Sequence, residues 1–222
     1  MGIERKFEFS CGASLPMPEA SVPLSPRVRA KRRRRRAEIL QAALLAFRER
    51  GYHATTLDDI ANRLGLRKTA LYHYFPDKEA ILYACHLESL GELTRIVSAA
   101  RARAARPTEQ LGYVIREHVR VMTDTLQGSP LAFEVTALSP AHQREIIRGR
   151  DAYEGALRGL IEQGIRAGEL RPVSPKLAVF AILGAVNWIA RWYRPGGPIQ
   201  TQELGARFAE QLLGGLTCTP GP

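Results

Sequence analysis

"TTLDDIANRLGLRKTALYHYFPDKEAIL", residues 55–82, decides the fold of this chain. Thr56-Leu57-Asp58-Asp59 has the chemistry of a helix start, an N-cap hydroxyl followed by an acid at the third helical position. Leu57, Ile60, Ala61 and Leu64 then share one helix face, and Gly65 ends it. The next helix, about 67–74, is halted before Pro76, and Asp77 opens another. Upstream, Ile39, Leu40, Ala43, Leu44 and Phe47 form a helical stripe closed by Gly51. Three short helices with a tight glycine turn between the second and third satisfy the helix-turn-helix pattern.

The third of these helices is unusually polar. It has Ala70, Leu71 and Phe75 to bury, and leaves Arg67, Lys68, Thr69, Tyr72, His73 and Tyr74 as donors or stacking surface. In a DNA groove, the N-terminal residues of such a helix reach base edges, while later hydroxyl, imidazole and amine groups hold phosphates. Lys78 falls in the first turn of the following helix, beside N–H groups that themselves favour an anion. The pattern alone leaves a second reading open, with the aromatics as core and the cations as a solvated face.

Beyond residue 78 the chain stays helical. Ile81, Leu82, Cys85, Leu90, Leu93, Ile96 and Val97 keep a 3.6 period, and Pro107 separates them from a helix over 108–127. "GSP", 128–130, marks a turn before the short apolar piece 131–138. Ser139-Pro140 starts a helix to about Ala167, Ser174-Pro175 starts one ending near Pro195, and a last runs from Thr201 to Leu213. No alternating strand pattern appears. The expectation is an all-α protein of roughly nine helices, a three-helix DNA-binding domain followed by a helical body.

The net charge of +10 is concentrated near the N-terminus. Residues 27–36 hold eight Lys/Arg and no acid, whereas residues 37–80 hold six cations and six anions. A neutral reader preceded by "KRRRRR", 31–36, suggests that Arg32, Arg33, Arg34, Arg35 and Arg36 form a flexible arm that tracks phosphates or enters a minor groove. Before it, Pro16, Pro18, Pro23 and Pro26 interrupt a Ser- and Gly-containing stretch, either a disordered tail or an over-extended start to the reading frame. The expected organisation is therefore a tail, 1–30; a basic arm, 31–36; the DNA-binding domain, 37–80; a ligand-binding and dimerisation domain, 81–216; and a tail, 217–222.

Cys11, Cys85 and Cys218 lack disulfide or metal spacing. The most apolar run, 178–190, is too short to span a bilayer, so a cytoplasmic protein without membrane contact is expected. GxSxG, P-loop, HExxH and Rossmann signatures are missing, and the five histidines show no paired metal spacing. No catalytic residue, cofactor or metal is expected.

"AEILQAALLAFRERGYHATTLDDIANRLGLRKTALYHYFPDKEAIL", 37–82, closely resembles the DNA-binding domain of the tetracycline-repressor (TetR) family. The marks are the phenylalanine and glycine of "AFRERGY", "TTLDDIA", the Gly65 turn and "LYHYFPDKEAIL". The resemblance implies a homodimer on a near-palindromic operator in double-stranded DNA, with repression relieved by a small molecule. Carried over, Lys68 and Thr69 would face bases, Tyr72, His73 and Lys78 phosphates, and Thr55 or Thr56 the DNA backbone. Arg67 and Ala70 stand where the family commonly has serine and threonine, so a cap and a polar contact are lost; Arg67 can instead offer its fork to guanine.

"LSPAHQREIIRGRDAYEGALRGLIEQGIRAGELRP" and "AILGAVNWIARWYRPGG" are similar to the C-terminal domains of regulators of fatty-acid and sterol catabolism, several of which respond to acyl-CoA thioesters. A CoA thioester needs an apolar slot and cations for its phosphates. Arg116, Arg120, Arg148 and Arg191, with Arg150 and Arg194, are available, although solvated faces are the bland alternative. Asn187 needs a partner if buried. Tyr83, His86, Tyr113, Tyr153 and His118 are further positions along the helices. Trp188 and Trp192 share a face and either line a pocket or pack in the core or a dimer. Two other functions stay open: an efflux or detoxification regulator with a drug-like ligand, and an architectural DNA binder driven by the arginines.

Overall fold

The computed structural model describes residues 25–103, 106–126 and 134–217. Eight α-helices occur among them: α1, Pro26–Arg50; α2, Leu57–Arg63; α3, Lys68–Tyr72; α4, Lys78–Ala102; α5, Pro107–Arg120; α6, Pro140–Arg166; α7, Pro175–Trp192; and α8, Thr201–Gly214. The all-α class holds, with an isolated bridge between Leu170 and Thr217 as the sole extended pairing among the described residues. Thr217 thus belongs to the body rather than to a tail. Turn 128–130 and the piece up to residue 133 lie outside the described residues, as do residues 1–24 and 218–222.

Local chemistry sets the helix starts. Thr56 and Asp59 form a reciprocal capping box on α2, and Asp77 accepts from the Ala80 N–H at the start of α4. Pro26, Pro140 and Pro175 each occupy a first-turn position, where a missing N–H costs nothing. Gly51 and Gly65 take positive φ, 77° and 63°, at the turns after α1 and α2.

Two departures from expectation matter. The basic run is not an arm outside the fold: α1 begins at Pro26, capped by Ser25, and carries all five arginines within its first half. Arginine is a good helix former, and two of the arginines of α1 find partners just past the end of α3. The helix expected over 108–127 stops being α-helical at Arg120. Val121–Thr125 forms a π-helical turn, with the Leu126 N–H reaching the Val121 carbonyl at 2.8 Å.

One apolar core runs from Ile39 to Ala209 through both parts of the chain. In the body α5 packs along α8, and α4, α6 and α7 surround it. Gly205 lets α8 lie close against the α5 backbone, because a Cβ there would lie 3.2 Å from the Arg116 carbonyl oxygen. α4 belongs to both parts: its first turns contact α1 and its remainder packs on α5 and α6.

Candidate DNA interface and effector cavity

α3 is held by Leu71 and Phe75, which are 0% and 2% exposed. Arg67, Lys68, Thr69, Tyr72 and His73 all remain exposed, so the structure gathers them on one short polar helix and its flanks. Arg67 occupies the N-cap position without a side-chain cap bond. Its guanidinium is therefore not consumed in starting the helix. Lys68 pairs with Asp58 at 3.2 Å, a solvated pair of small net worth that a phosphate or base can replace.

The arginine run divides by helical periodicity. Arg36 donates to the Tyr74 carbonyl at 2.8 Å and lies 4.2 Å from the Phe75 ring centroid. Arg32 reaches the His73 carbonyl at 3.5 Å. These two cap the end of α3, while Arg34 and Arg35 pair with Glu38 and Arg33 is exposed.

Three expected backbone contacts change meaning. Thr55 is 1% exposed, and its hydroxyl is shared between the carbonyls of Gly51 and Ala46, so it cannot reach a phosphate. The exposed Thr56 hydroxyl is engaged with Asp59. Lys78 is the larger correction. Its ammonium donates to the carbonyls of Tyr52, Thr55 and His53 at 2.8, 2.8 and 3.2 Å and sits over the Tyr52 ring. An ammonium has three donors, and all three are taken. Burial lowers its pKa. Lys78 clamps the start of α4 to the α1–α2 loop.

Within the body, α4, α5, the π-helical turn, α6 and α7 enclose a cavity of about 170 Å³. Helical spacing builds it: His86, Ser89, Leu90 and Leu93 from α4, Arg150 and Tyr153 from α6, and Leu183 and Asn187 from α7. His118, Met122 and Leu126 come from α5 and beyond, where the π-helical turn resets the register. Tyr153 is buried with its hydroxyl 3.1 Å from His118 Nδ1, and burial pushes its pKa up. Burial also pulls His118 down to about 4. His86 is pulled down to about 3, by burial first and by the Arg150 charge second. Its Nε2 has no partner among the described residues. Desolvation likewise lowers the Arg150 pKa.

Of the residues expected to meet a ligand, His86, His118, Arg150, Tyr153 and Asn187 line this cavity. The others do not. Tyr83 stacks on His142 and donates to Glu145 at the surface between α4 and α6. Tyr113 lies under the Arg103 guanidinium, Arg120 pairs with Glu117, and Arg116, Arg148 and Arg191 are exposed. Trp188 and Trp192 are 58% and 42% exposed on an outer face of α7, shared with Leu177 and Phe180. Sequence reading undervalued Arg150 and His118; their i+3 and cross-helix relation to Tyr153 becomes visible once α5 faces α6. Nothing in the sequence signals the π-helical turn that turns in Met122 and Leu126.

Residues 39–85 match the family described as bacterial regulatory proteins, tetR family, and residues 104–216 match the tetracyclin repressor-like C-terminal domain. The chain is 28% identical over 190 residues to the HTH-type transcriptional repressor KstR2 of Mycolicibacterium smegmatis, spanning 84% of this chain and 93% of that protein. The solved structure of the ketosteroid transcriptional regulator KstR2 of Mycobacterium tuberculosis superposes with a TM-score of 0.76 at 29% identity, covering 83% of this chain and 96% of that one. AibR, solved in complex with isovaleryl coenzyme A and operator DNA, gives 0.67 at 25% identity, covering 80% and 97%. No helix among the described residues is long and apolar enough to cross a membrane.

Proposed function

This chain belongs to the tetracycline-repressor family of bacterial transcription regulators, and on that premise we propose a homodimeric repressor released from its operator by a CoA thioester, acting in lipid or sterol catabolism. The observation that carries the reading is the span of α4. One rigid helix begins at the Lys78 clamp on the DNA-binding part and, two turns and about 12 Å further on, contributes His86 to the cavity. A ligand that displaces this wall of the cavity moves the clamp with it.

The likeness to AibR with its bound isovaleryl coenzyme A supports the effector class, and the likeness to the ketosteroid regulator KstR2 supports the lipid or sterol setting. So do the leucine-rich wall and the cation at its edge. At about 170 Å³ the cavity is smaller than the roughly 300 Å³ at which ligand pockets begin. It accommodates the acyl end, and the rest of the CoA lies outside it. Inserting a larger group separates α4 from α6. Release then follows from the difference in effector affinity between the two arrangements, a few kcal/mol in typical coupling.

On the DNA side, Arg67, Lys68 and Thr69 face bases and Tyr72 and His73 hold phosphates. The outward cations of α1 supply the non-specific grip. The exposed stripe Leu177, Phe180, Trp188 and Trp192, with Phe208 from α8 stacked on Trp192, is the surface for a second copy. A two-fold pair sets the recognition helices about 34–36 Å apart.

The deciding experiment titrates long-chain acyl-CoAs, the free acids and CoA alone against the complex of the protein with its own promoter fragment, read by mobility shift. Release by acyl-CoA and not by CoA alone is the expected result. Release by none of them overturns the effector, and release by drug-like compounds instead would favour an efflux or detoxification regulator. A second measurement separates grip from choice. Replacing Arg33, Arg34 and Arg35 by alanine weakens binding to all sequences and flattens its salt dependence, whereas Lys68→Ala relaxes sequence preference. A protein with no preference for its promoter over random DNA would be an architectural binder.

A further inference from the structure

The polar end of the cavity carries a charge that the protein leaves unanswered. Arg150 is half-buried and has neither an ion pair nor a hydrogen bond among the described residues, and desolvation lowers its pKa. Its neighbours do not supply a counter-charge: the described cavity lining holds no carboxylate, and its other polar side chains are Ser89, His86, His118, Tyr153 and Asn187. His86 is 2% exposed, faces Arg150, and has an Nε2 without a partner among the described residues. Gly149 lies beside them, where Leu90 Cδ1 of α4 fills the space that a Cβ would take, 2.7 Å away.

Charged and polar groups withdrawn from water are costly unless a partner answers them. The missing partner here is an anion small enough to sit against leucine side chains. An arginine fork suits a carboxylate in particular, because two parallel N–H donors match its two oxygens. Resting on the reading that this cavity receives the effector's acyl end, we propose that it selects an acyl group bearing its own carboxylate, paired with the Arg150 guanidinium and hydrogen-bonded by His86 Nε2–H. A plain aliphatic chain would leave the guanidinium and the imidazole unanswered in a narrower, drier site. The thioester carbonyl is neutral and answers them only weakly.

Two CoA thioesters of equal carbon count test this: valeryl-CoA, which ends in a methyl group, and glutaryl-CoA, which ends in a carboxylate. Binding to the full chain is measured by calorimetry without DNA, and release of the promoter fragment separately by fluorescence anisotropy. Glutaryl-CoA is expected to bind about tenfold tighter or more. Arg150→Met abolishes the preference, Arg150→Lys keeps part of it, and His86→Phe weakens glutaryl-CoA more than valeryl-CoA. Far-ultraviolet circular dichroism of each variant reports that it folds. Equal or tighter binding of valeryl-CoA, or a preference that survives in Arg150→Met, overturns the carboxylate. Arg150-dependent binding of glutaryl-CoA without release of DNA would instead keep the carboxylate site and remove the effector reading. Release by valeryl-CoA as effective as by glutaryl-CoA would do the reverse.

Discussion

Lys78 and Arg150 are both cations on helices, and the fold treats them in opposite ways. Lys78 stands at the start of α4, where an anion from outside is the natural guess, yet three backbone carbonyls already occupy its ammonium. Arg150 stands in the middle of α6, where a solvated face is the natural guess, yet it borders a cavity with no partner of its own among the described residues. The difference teaches that a cation's role follows from which acceptors the packing brings within reach. Its position in a motif does not determine that.

The comparison is sharpened most by pH, because Arg150 is the sole charge of the cavity only while its histidines are neutral. In the folded protein His86 and His118 are pulled down to about 3 and about 4. In the unfolded chain both titrate near 6.5. Below that value the unfolded state binds protons that the folded state refuses, so stability falls as pH drops from about 6.5 towards 4. Each histidine contributes up to about 1.4 kcal/mol per pH unit. Urea denaturation at pH 5 is expected to give a stability about 2–4 kcal/mol below that at pH 7.5. The loss should be roughly halved in His86→Phe once the variant's own offset at pH 7.5 is subtracted. A flat profile would mean that the imidazoles are solvated and the cavity wet.

Lys78→Met addresses the other side. Removing the ammonium strands three carbonyls, with an expected loss of about 1–3 kcal/mol in denaturant unfolding and weaker promoter binding. Unchanged stability with weaker binding would return Lys78 to the phosphate-contacting role that its position in the motif suggests. Smallest is Tyr153→Phe, which removes the hydroxyl facing His118 Nδ1 and should cost about 1 kcal/mol. An equal loss in a Tyr153→Phe/His118→Phe double variant would show that the pair acts as one unit.

Much of the fold was legible because it is written in local chemistry. The Thr56 and Asp77 caps, the prolines opening α6 and α7, and the Gly65 turn each act within a few residues of themselves. The basic run was legible as charge but not as structure. Its place against the reader comes from Arg32 and Arg36 reaching carbonyls about forty positions away at the end of α3. The cavity was legible in part. His86, Tyr153 and Asn187 could be named from polarity among apolar neighbours, while the tryptophans four apart on α7 proved to face outward.

The sequence by itself determined the helical class, the starts of α2, α4, α6 and α7 and the family-like reader at 55–82, since periodicity, caps and breakers are short-range properties of the chain. Tertiary structure alone decided which polar side chains are occupied and which are left unanswered. That depends on distances between helices far apart in sequence and on a π-helical turn that no residue pattern announces. Lys78 and Arg150 exchanged their expected roles for this reason: hydrogen bonding and desolvation act through space, and the sequence specifies space only through the whole fold.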